Sequence, residues 1–449
     1  METGQHTGTA TLERPVETTP TPAPASVAGT EFLTWLRELW RTDWFRIPLL
    51  IFALSRAYVF LLGAIAMWID VTLPAVPALG YYMPELYGPA HYLLQPWRNW
   101  DGHWFTLVAT RGYSLDKATT AFFPLYPLLL HWVSWFLDDR IELAGVLISN
   151  IAFLGALIVF YRLVALDFSA AVARRTLVCL ALFPVSFYFN AVYSESLFLL
   201  LAVGCFYAAR RDRWWLAGVL GFLAALTRSH GVLLALPLGL LFLKQQGWRP
   251  WQWRANPISI LLVPFGMMAY MAYLRRIWND PLVMIHAQKG WDRYSANPIE
   301  TMQAGVKAVN GCAVRDWNAG VNFCWANQFV QHPGLATVRD LHWRWGLSES
   351  NAVELVAALF LFALGIAALR YLPLAYSSFL AAGIILPLWS PSSVHPLMSM
   401  IRFTLILFPA FIVLGKVTRW RPVYVAVVTV FSLLLAFFTI QFASWLWVA

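Results

Sequence analysis

Apolar positions fall in long blocks rather than in alternating or one-sided patterns. The blocks cover 47–70, 121–137, 143–166, 176–192, 195–209, 214–227, 231–243, 256–274, 351–369, 372–390, 401–416 and 423–445. Blocks approaching ~20 residues with almost no charge predict helices that cross a bilayer. Several are shorter, and many hold Pro or Gly, which membrane helices tolerate where neighbouring groups re-satisfy the backbone. Residues 1–30 read differently: Thr18-Thr19-Pro20-Thr21-Pro22-Ala23-Pro24 is polar and Pro-rich, and no signal-peptide core precedes it. A disordered cytoplasmic tail is expected there. From 31 to 46, Phe32, Leu33, Leu36, Leu39, Trp40 and Trp44 recur at helical spacing, with Thr34, Arg37, Glu38 and Arg41 between them. That pattern predicts an amphipathic helix lying on the membrane surface.

Composition and charge support this reading. Hydrophobic residues make up 59% of the 449 and charged residues only 12%, about half the ~25% of soluble proteins. The net charge of +9 sits in short clusters between apolar blocks, such as Arg210-Arg211-Asp212-Arg213 and Lys416-Val417-Thr418-Arg419-Trp420-Arg421. Such clusters mark cytoplasmic loops rather than a nucleic-acid surface. Placing 209–214, 244–254, 416–421 and Arg174-Arg175 inside leaves one block too many before Arg174. Block 121–137, with Pro124 and Pro127 near its start, is then the one that does not fully cross. The other solution joins 176–209 into one broken crossing with Arg174 outside. Either way the expectation is an all-α polytopic membrane protein, residues 47–449 forming about 11 crossings.

Two polar segments fall outside, 71–120 and 276–350. The second is rich in Trp (Trp278, Trp291, Trp317, Trp325, Trp343, Trp345) and contains Cys312 and Cys324. In an oxidising compartment these cysteines could close a small loop, or they remain two thiols. Cys179 and Cys205 lie in apolar blocks as core residues, and without CxxC or His/Cys clusters no structural zinc is expected.

Candidate chemistry concentrates in a few polar islands. Arg98-Asn99-Trp100-Asp101-Gly102-His103-Trp104-Phe105 is the densest. Asp101 is either a general base toward a sugar hydroxyl or the cap of a helix starting at Gly102. Tyr193-Ser194-Glu195 interrupts continuous apolar sequence; an acid there is either functional or a helix-start carboxylate at the lipid surface. Arg228 with His230, and Arg402 after His395, each put an arginine at a helix end with no acidic neighbour in sequence. Such arginines suit an anionic ligand through their planar forks, or snorkel to the headgroups. In the first topology Asp101, Glu195, Arg228, His230, His395 and Arg402 all reach the external face. That grouping fits a lipid-phosphate substrate and a hydroxyl acceptor.

Several of these islands resemble one family. Trp100-Asp101 with Phe105, Ala109 and Gly112-Tyr113, then Ala121-Phe122-Phe123-Pro124 and Pro127, form the first matching block. Tyr193-Ser194-Glu195 with Phe198, Arg228 with Gly231, and Arg402-Phe403 ahead of Phe408-Pro409 follow in order. The chain is similar in these features to the PIG-V-type, GPI mannosyltransferase II-like mannosyltransferases. The resemblance implies a GT-C fold with a large first external loop carrying the catalytic Asp, here Asp101. It also implies inverting transfer of mannose from a polyprenyl-phosphate mannose donor to a glycolipid or glycan. The donor phosphate is assigned to Arg228 and Arg402, with Trp100, His103, Tyr193, Glu195, His230 and His395 as further site candidates. No clear Asp-x-Asp stands in the loop, so neither a bound metal nor another cofactor is expected. The Trp-rich segment 276–350, a possible acceptor-binding loop, has no placeable family counterpart, so the acceptor stays open. The expected location is a bacterial plasma membrane (the endoplasmic reticulum in a eukaryote) with the active site external. The rival is a flippase for a lipid-linked sugar; internal repeats, common in transporters, are not visible.

Overall fold

A computed structural model describes residues 37–69, 85–247, 256–309 and 351–445, with Met1, Thr34, Val448 and the backbone of 312–313 and 323–324. The Pro-rich tail and most of 310–350 lie outside the described residues. Two compact units are present, Met1–Arg46 and Ile47–Ala449. In the first, residues 37–41 are helical and the helix breaks at Thr42, whose hydroxyl donates to Leu39 O at 2.6 Å. The first long helix, α1 (Asp43–Trp68), therefore starts a few residues ahead of the apolar block.

Most of the other helices of more than four residues follow the apolar blocks. In chain order, after the short helix Pro89–Leu93, come α2 (Asp101–Arg111), α3 (Leu125–Phe136), α4 (Ile141–Asp167), α5 (Ala170–Ala181), α6 (Glu195–Arg210), α7 (Trp214–Ala225) and α8 (Ala235–Gln246). After them come α9 (Leu262–Trp278), α10 (Pro298–Val309), α11 (Asn351–Tyr371), α12 (Leu374–Leu388), α13 (Met400–Thr404), α14 (Pro409–Val417) and α15 (Arg421–Ala443). Of these, α2 and α10, like Pro89–Leu93, stand in the polar segments. Among the described residues, five helices are long and apolar enough to cross a membrane: Asp43–Trp68, Ile141–Asp167, Pro257–Trp278, Asn351–Tyr371 and Arg421–Ala443. The two short strands Cys312–Ala313 and Phe323–Cys324 pair antiparallel with Cys312 opposite Cys324. Their side chains, and hence the expected disulfide, lie outside the described residues. Cys179 and Cys205 are buried free thiols.

Block 121–137 yields only α3, 12 residues or about 18 Å of helix, short of a ~30 Å hydrocarbon core. Leu125 N–H donates to Leu226 O at 3.0 Å, beside Arg228. Just past the other end of α3, Glu142 pairs with Arg98 at 3.0 Å. Both ends thus lie near the polar islands. Region 176–209 is not one continuous helix: α5 stops at Ala181, and α6 begins at Glu195.

The stretch 182–194 between them is almost entirely buried and regular only in a 3-10 turn at Ser186–Phe189, so its irregular backbone draws partners from elsewhere. Arg56, from the middle of α1, provides them. Its Nη1 donates to Ser186 O at 3.0 Å and Asn190 Oδ1 at 3.1 Å, and its Nη2 to Ala181 O at 3.2 Å. Ser149 of α4 donates to Ala191 O at 2.7 Å. Together they fix the turn that delivers Tyr193, Ser194 and Glu195.

Small residues set how closely α7 approaches α9 and the 3-10 turn Asn256–Leu261 that leads into it, as is usual where packing rather than hydrophobicity drives helix association. A Cβ on Gly218 would stand 2.2 Å from Ser259 O, and one on Gly266 2.4 Å from Phe222 O. Neither carbonyl can move without shifting a helix. Gly266→Ala is therefore expected to destabilise the protein by about 1–3 kcal/mol, read as a lowered thermal midpoint in detergent. Gly239 of α8, with nothing within 4 Å of its added Cβ, should tolerate Ala without loss.

Candidate active site

The segment leading to Asp101 is anchored before the helix begins. Trp97 is fully buried and packs edge-on against Phe60 at 5.6 Å. Asn99 Nδ2 donates to Phe442 O at 2.9 Å, at the end of α15. Trp100 adopts φ 57°, a left-handed backbone uncommon for a bulky residue. That turn directs the Asp101 N–H to Tyr193 Oη at 2.9 Å, while the Tyr193 hydroxyl donates to Asn99 O at 3.0 Å. The helix starts at Asp101 itself, and no side chain caps it. The carboxylate is thus free for another task.

That task is an ion pair. Arg402 Nη1 donates to Asp101 Oδ2 at 2.5 Å, and Arg402 Nε donates to Glu195 Oε1 at 2.5 Å. Arg228 Nη1 reaches the same Glu195 oxygen at 2.8 Å and Ser194 Oγ at 3.0 Å. The Arg402 guanidinium lies over the Tyr193 and Tyr188 rings, 4.7 and 5.1 Å from their centroids. Glu195 is 0% exposed. It lies behind the arginines, whereas Asp101 is about one-fifth exposed at its side chain.

Arg402 is in turn positioned by an acid that sequence reading did not single out. Glu354 of α11 is buried, and its two oxygens accept the N–H groups of Ser399 at 2.9 Å and Ile401 at 3.2 Å. These bonds shape the turn through Ser399 (φ 69°) into α13, which carries Arg402.

A cavity of ≈ 400 Å³ opens in front of the cluster, within the ~300–1,000 Å³ range of small-molecule sites. Its charged lining residues are Asp101, Arg228, Arg402 and Arg293; Met267, Met284, Ile285, Leu386 and Met398 are among its apolar ones. Phe122 and Trp291 also line it, and Trp104 stacks on Phe122 with ring centroids 5.6 Å apart. Among the described lining residues, Asp101 is the one carboxylate.

The structure brings together Asp101, Glu195, Arg228 and Arg402, with Tyr193 beneath them. His230 lines the same cavity, its ring 5.2 Å from Phe403. His395 does not line it; its Nδ1 lies 3.3 Å from Asn351 Oδ1. His103 points to the other side of α2, edge-on to Trp445 at 5.2 Å. Burial, helped by Arg98, lowers His103 to about 4, so it is neutral at physiological pH. Trp100 packs 6.0 Å from the same Trp445. Neither arginine has an acidic neighbour in sequence, yet both find Glu195 in the fold.

Comparison with known proteins adds a second line of evidence. Residues 87–244 match the family described as Mannosyltransferase (PIG-V). The Mus musculus protein GPI alpha-1,6-mannosyltransferase 2 is 30% identical over 228 residues, covering 43% of this chain and 45% of that one. The Rattus norvegicus protein of the same name is 33% identical over 147 residues, covering 30% of this chain and 29% of its own. The matching stretch spans less than half the length of either curated relative. Asp101, Glu195 and Arg228 lie inside the family match; Arg402, Arg293 and Glu354 lie beyond its end.

Breaking a buried pair by removing one partner costs about 3–5 kcal/mol, because it strands the other charge. Glu195→Gln keeps the shape but strands Arg228 and leaves Arg402 with Asp101 alone. It should lower the thermal midpoint more than Asp101→Asn, whose carboxylate is partly solvated. Equal midpoints for the two variants would show that Glu195 does not hold the arginines.

Proposed function

With residues 87–244 matching the PIG-V mannosyltransferases, we propose that this chain is an inverting, polyprenyl-phosphate-mannose-dependent mannosyltransferase of the GT-C type. The acceptor is a hydroxyl of a membrane glycolipid or glycan, and the reaction takes place at the external membrane face. The observation that carries the reading is the single described carboxylate facing a cavity whose other polar groups include three arginines. Eleven segments, α1, α4 to α9, α11, α12, α14 and α15, would cross alternately. Of these, α5, α7, α8 and α14 are no longer than α3 and would cross together with the irregular backbone that flanks them. By contrast α3, both of whose ends lie near the polar islands, would return to the side it left.

In this reading Asp101 takes the proton from the acceptor hydroxyl as its oxygen attacks the anomeric carbon. The bond from that carbon to the phosphate oxygen breaks, and the lipid phosphate departs with the bonding electrons. The leaving oxygen is already attached to an ionised phosphate, so no general acid is required, unlike the two-carboxylate glycoside hydrolases. Arg402 links the two events. Protonation of Asp101 removes the charge its Nη1 was holding just as the departing phosphate gains one. Arg402 and Arg228 can then stabilise that charge where it develops. Glu195 behind them holds both guanidiniums in place throughout, so they need not reorganise. The aromatic face of Phe122 and Trp291 suits a sugar ring, and the methionine-lined wall suits the first isoprene units, since Met side chains adapt to irregular apolar ligands.

The roles of acid and arginine separate kinetically. Asp101→Asn keeps the shape but removes basicity, so kcat should fall about 10²–10⁴-fold with little change in donor KM. Arg402→Lys keeps a charge but cannot reach both carboxylates as a planar fork does, so partial activity with a raised donor KM is expected. Asp101→Asn retaining more than about a tenth of wild-type kcat would remove Asp101 as the base. A flippase using the same groove would move the lipid without transferring sugar, and would have no need of a base.

A further inference from the structure

Two of the three arginines at the cavity are already neutralised. Glu195 binds Arg228 and Arg402, and Asp101 binds Arg402, so two carboxylates offset two guanidiniums. Arg293 stands outside this set. It lines the cavity from the segment between α9 and α10, and its Nη1 donates to Ser390 O at 2.6 Å. Among the described residues no carboxylate oxygen lies within 4.0 Å of its nitrogens. Asp101 and Glu354 act on it only from beyond ion-pair distance; Glu354 does not line the cavity, and its two oxygens accept backbone N–H groups.

The backbone that carries Arg293 is firmly built. Arg293 bridges to Ser392, Tyr294 N–H donates to Pro391 O at 3.0 Å, and Ser393 N–H donates to Asp292 O at 2.9 Å. Burial lowers the guanidinium to about 10, which still leaves it charged at neutral pH. A charge held out of water without a carboxylate in contact is costly. An anion in the cavity would offset that cost.

We propose that Arg293 is a binding residue for the donor's phosphate, offering a singly charged lipid phosphodiester a guanidinium that has no carboxylate ion-pair partner among the described residues. The identity of the ligand rests on the transferase reading above; the anion site rests on the geometry. The charges also balance through the step. Before transfer, the diester's single negative charge faces Arg293. As the bond to the anomeric carbon breaks, the phosphate gains a second negative charge. The acceptor's proton meanwhile neutralises Asp101, which frees one positive charge on Arg402. Summed over the three arginines, Asp101, Glu195 and the phosphate, the charge is zero at both ends of the reaction.

The test is equilibrium binding to the full chain in detergent, without acceptor, using polyprenyl-phosphate mannose and the uncharged polyprenol as probes. Arg293→Gln should weaken binding of the phosphodiester about ten- to hundredfold, the range for a charged hydrogen bond, and leave polyprenol binding unchanged. Arg293→Lys should recover part of the loss, which also guards against a fold defect in the Gln variant. Equal weakening for both probes, no weakening for the phosphodiester, or no binding of it by wild-type protein would overturn the proposal. If Asp101→Asn abolishes transfer while Arg293→Gln binds donor normally, only the Arg293 assignment fails. If binding depends on Arg293 but wild-type protein transfers no mannose, the transferase reading fails and the anion site stands.

Discussion

The site depends on one guanidinium shared between two acids. Arg402 touches Asp101 through one nitrogen and Glu195 through another, both at 2.5 Å, and Glu195 also binds Arg228. None of these charges could sit alone at this depth, since an unpaired buried ion costs several kcal/mol. The pairing therefore dictates where α2, α6, α13 and the turn ahead of Arg228 must meet. It also divides the labour. Glu195 is sealed behind the arginines and serves as their counter-ion, while Asp101 keeps its other side toward the cavity.

Around that cluster, irregular backbone is held by side chains from distant elements. Arg56 bonds one carbonyl at the end of α5 and one in the gap between α5 and α6. Glu354 does the reverse for the turn into α13, accepting two backbone N–H groups. Asn99 ties the turn before Asp101 to the end of α15. Breaks in membrane helices persist only where protein groups replace water for the backbone. Here the breaks are also where the chemistry-bearing side chains emerge.

Much of the helical framework was legible in the sequence. The blocks 351–369 and 423–445 became Asn351–Tyr371 and Arg421–Ala443, because a long uncharged stretch has few alternatives to a helix. The short blocks were harder, since Pro and Gly break them at points that only tertiary contacts define. Asp101, Glu195, Arg228 and Arg402 stood out as polar groups in apolar surroundings. Their pairing did not, because the partners lie 207 and 301 residues apart in the chain. Arg56 was hidden as a lone charge inside the first apolar block, and Glu354 as an ordinary helix-start acid. Arg293 lay in a Trp-rich segment without periodicity. For all three, the missing signal was the carbonyl, amide or cavity they face, which local sequence does not encode.

If one carboxylate acts as base from one side of the sugar while arginines take the phosphate on the other, the anomeric centre must invert. The most direct test is to incubate the purified chain with polyprenyl-phosphate mannose of defined anomeric configuration and a panel of membrane glycolipids, then assign the product linkage by NMR. Mannose transferred with the opposite configuration to the donor is the result expected. Retention of configuration would contradict the single-base geometry, and absence of transfer to every acceptor tested would contradict the transferase reading itself.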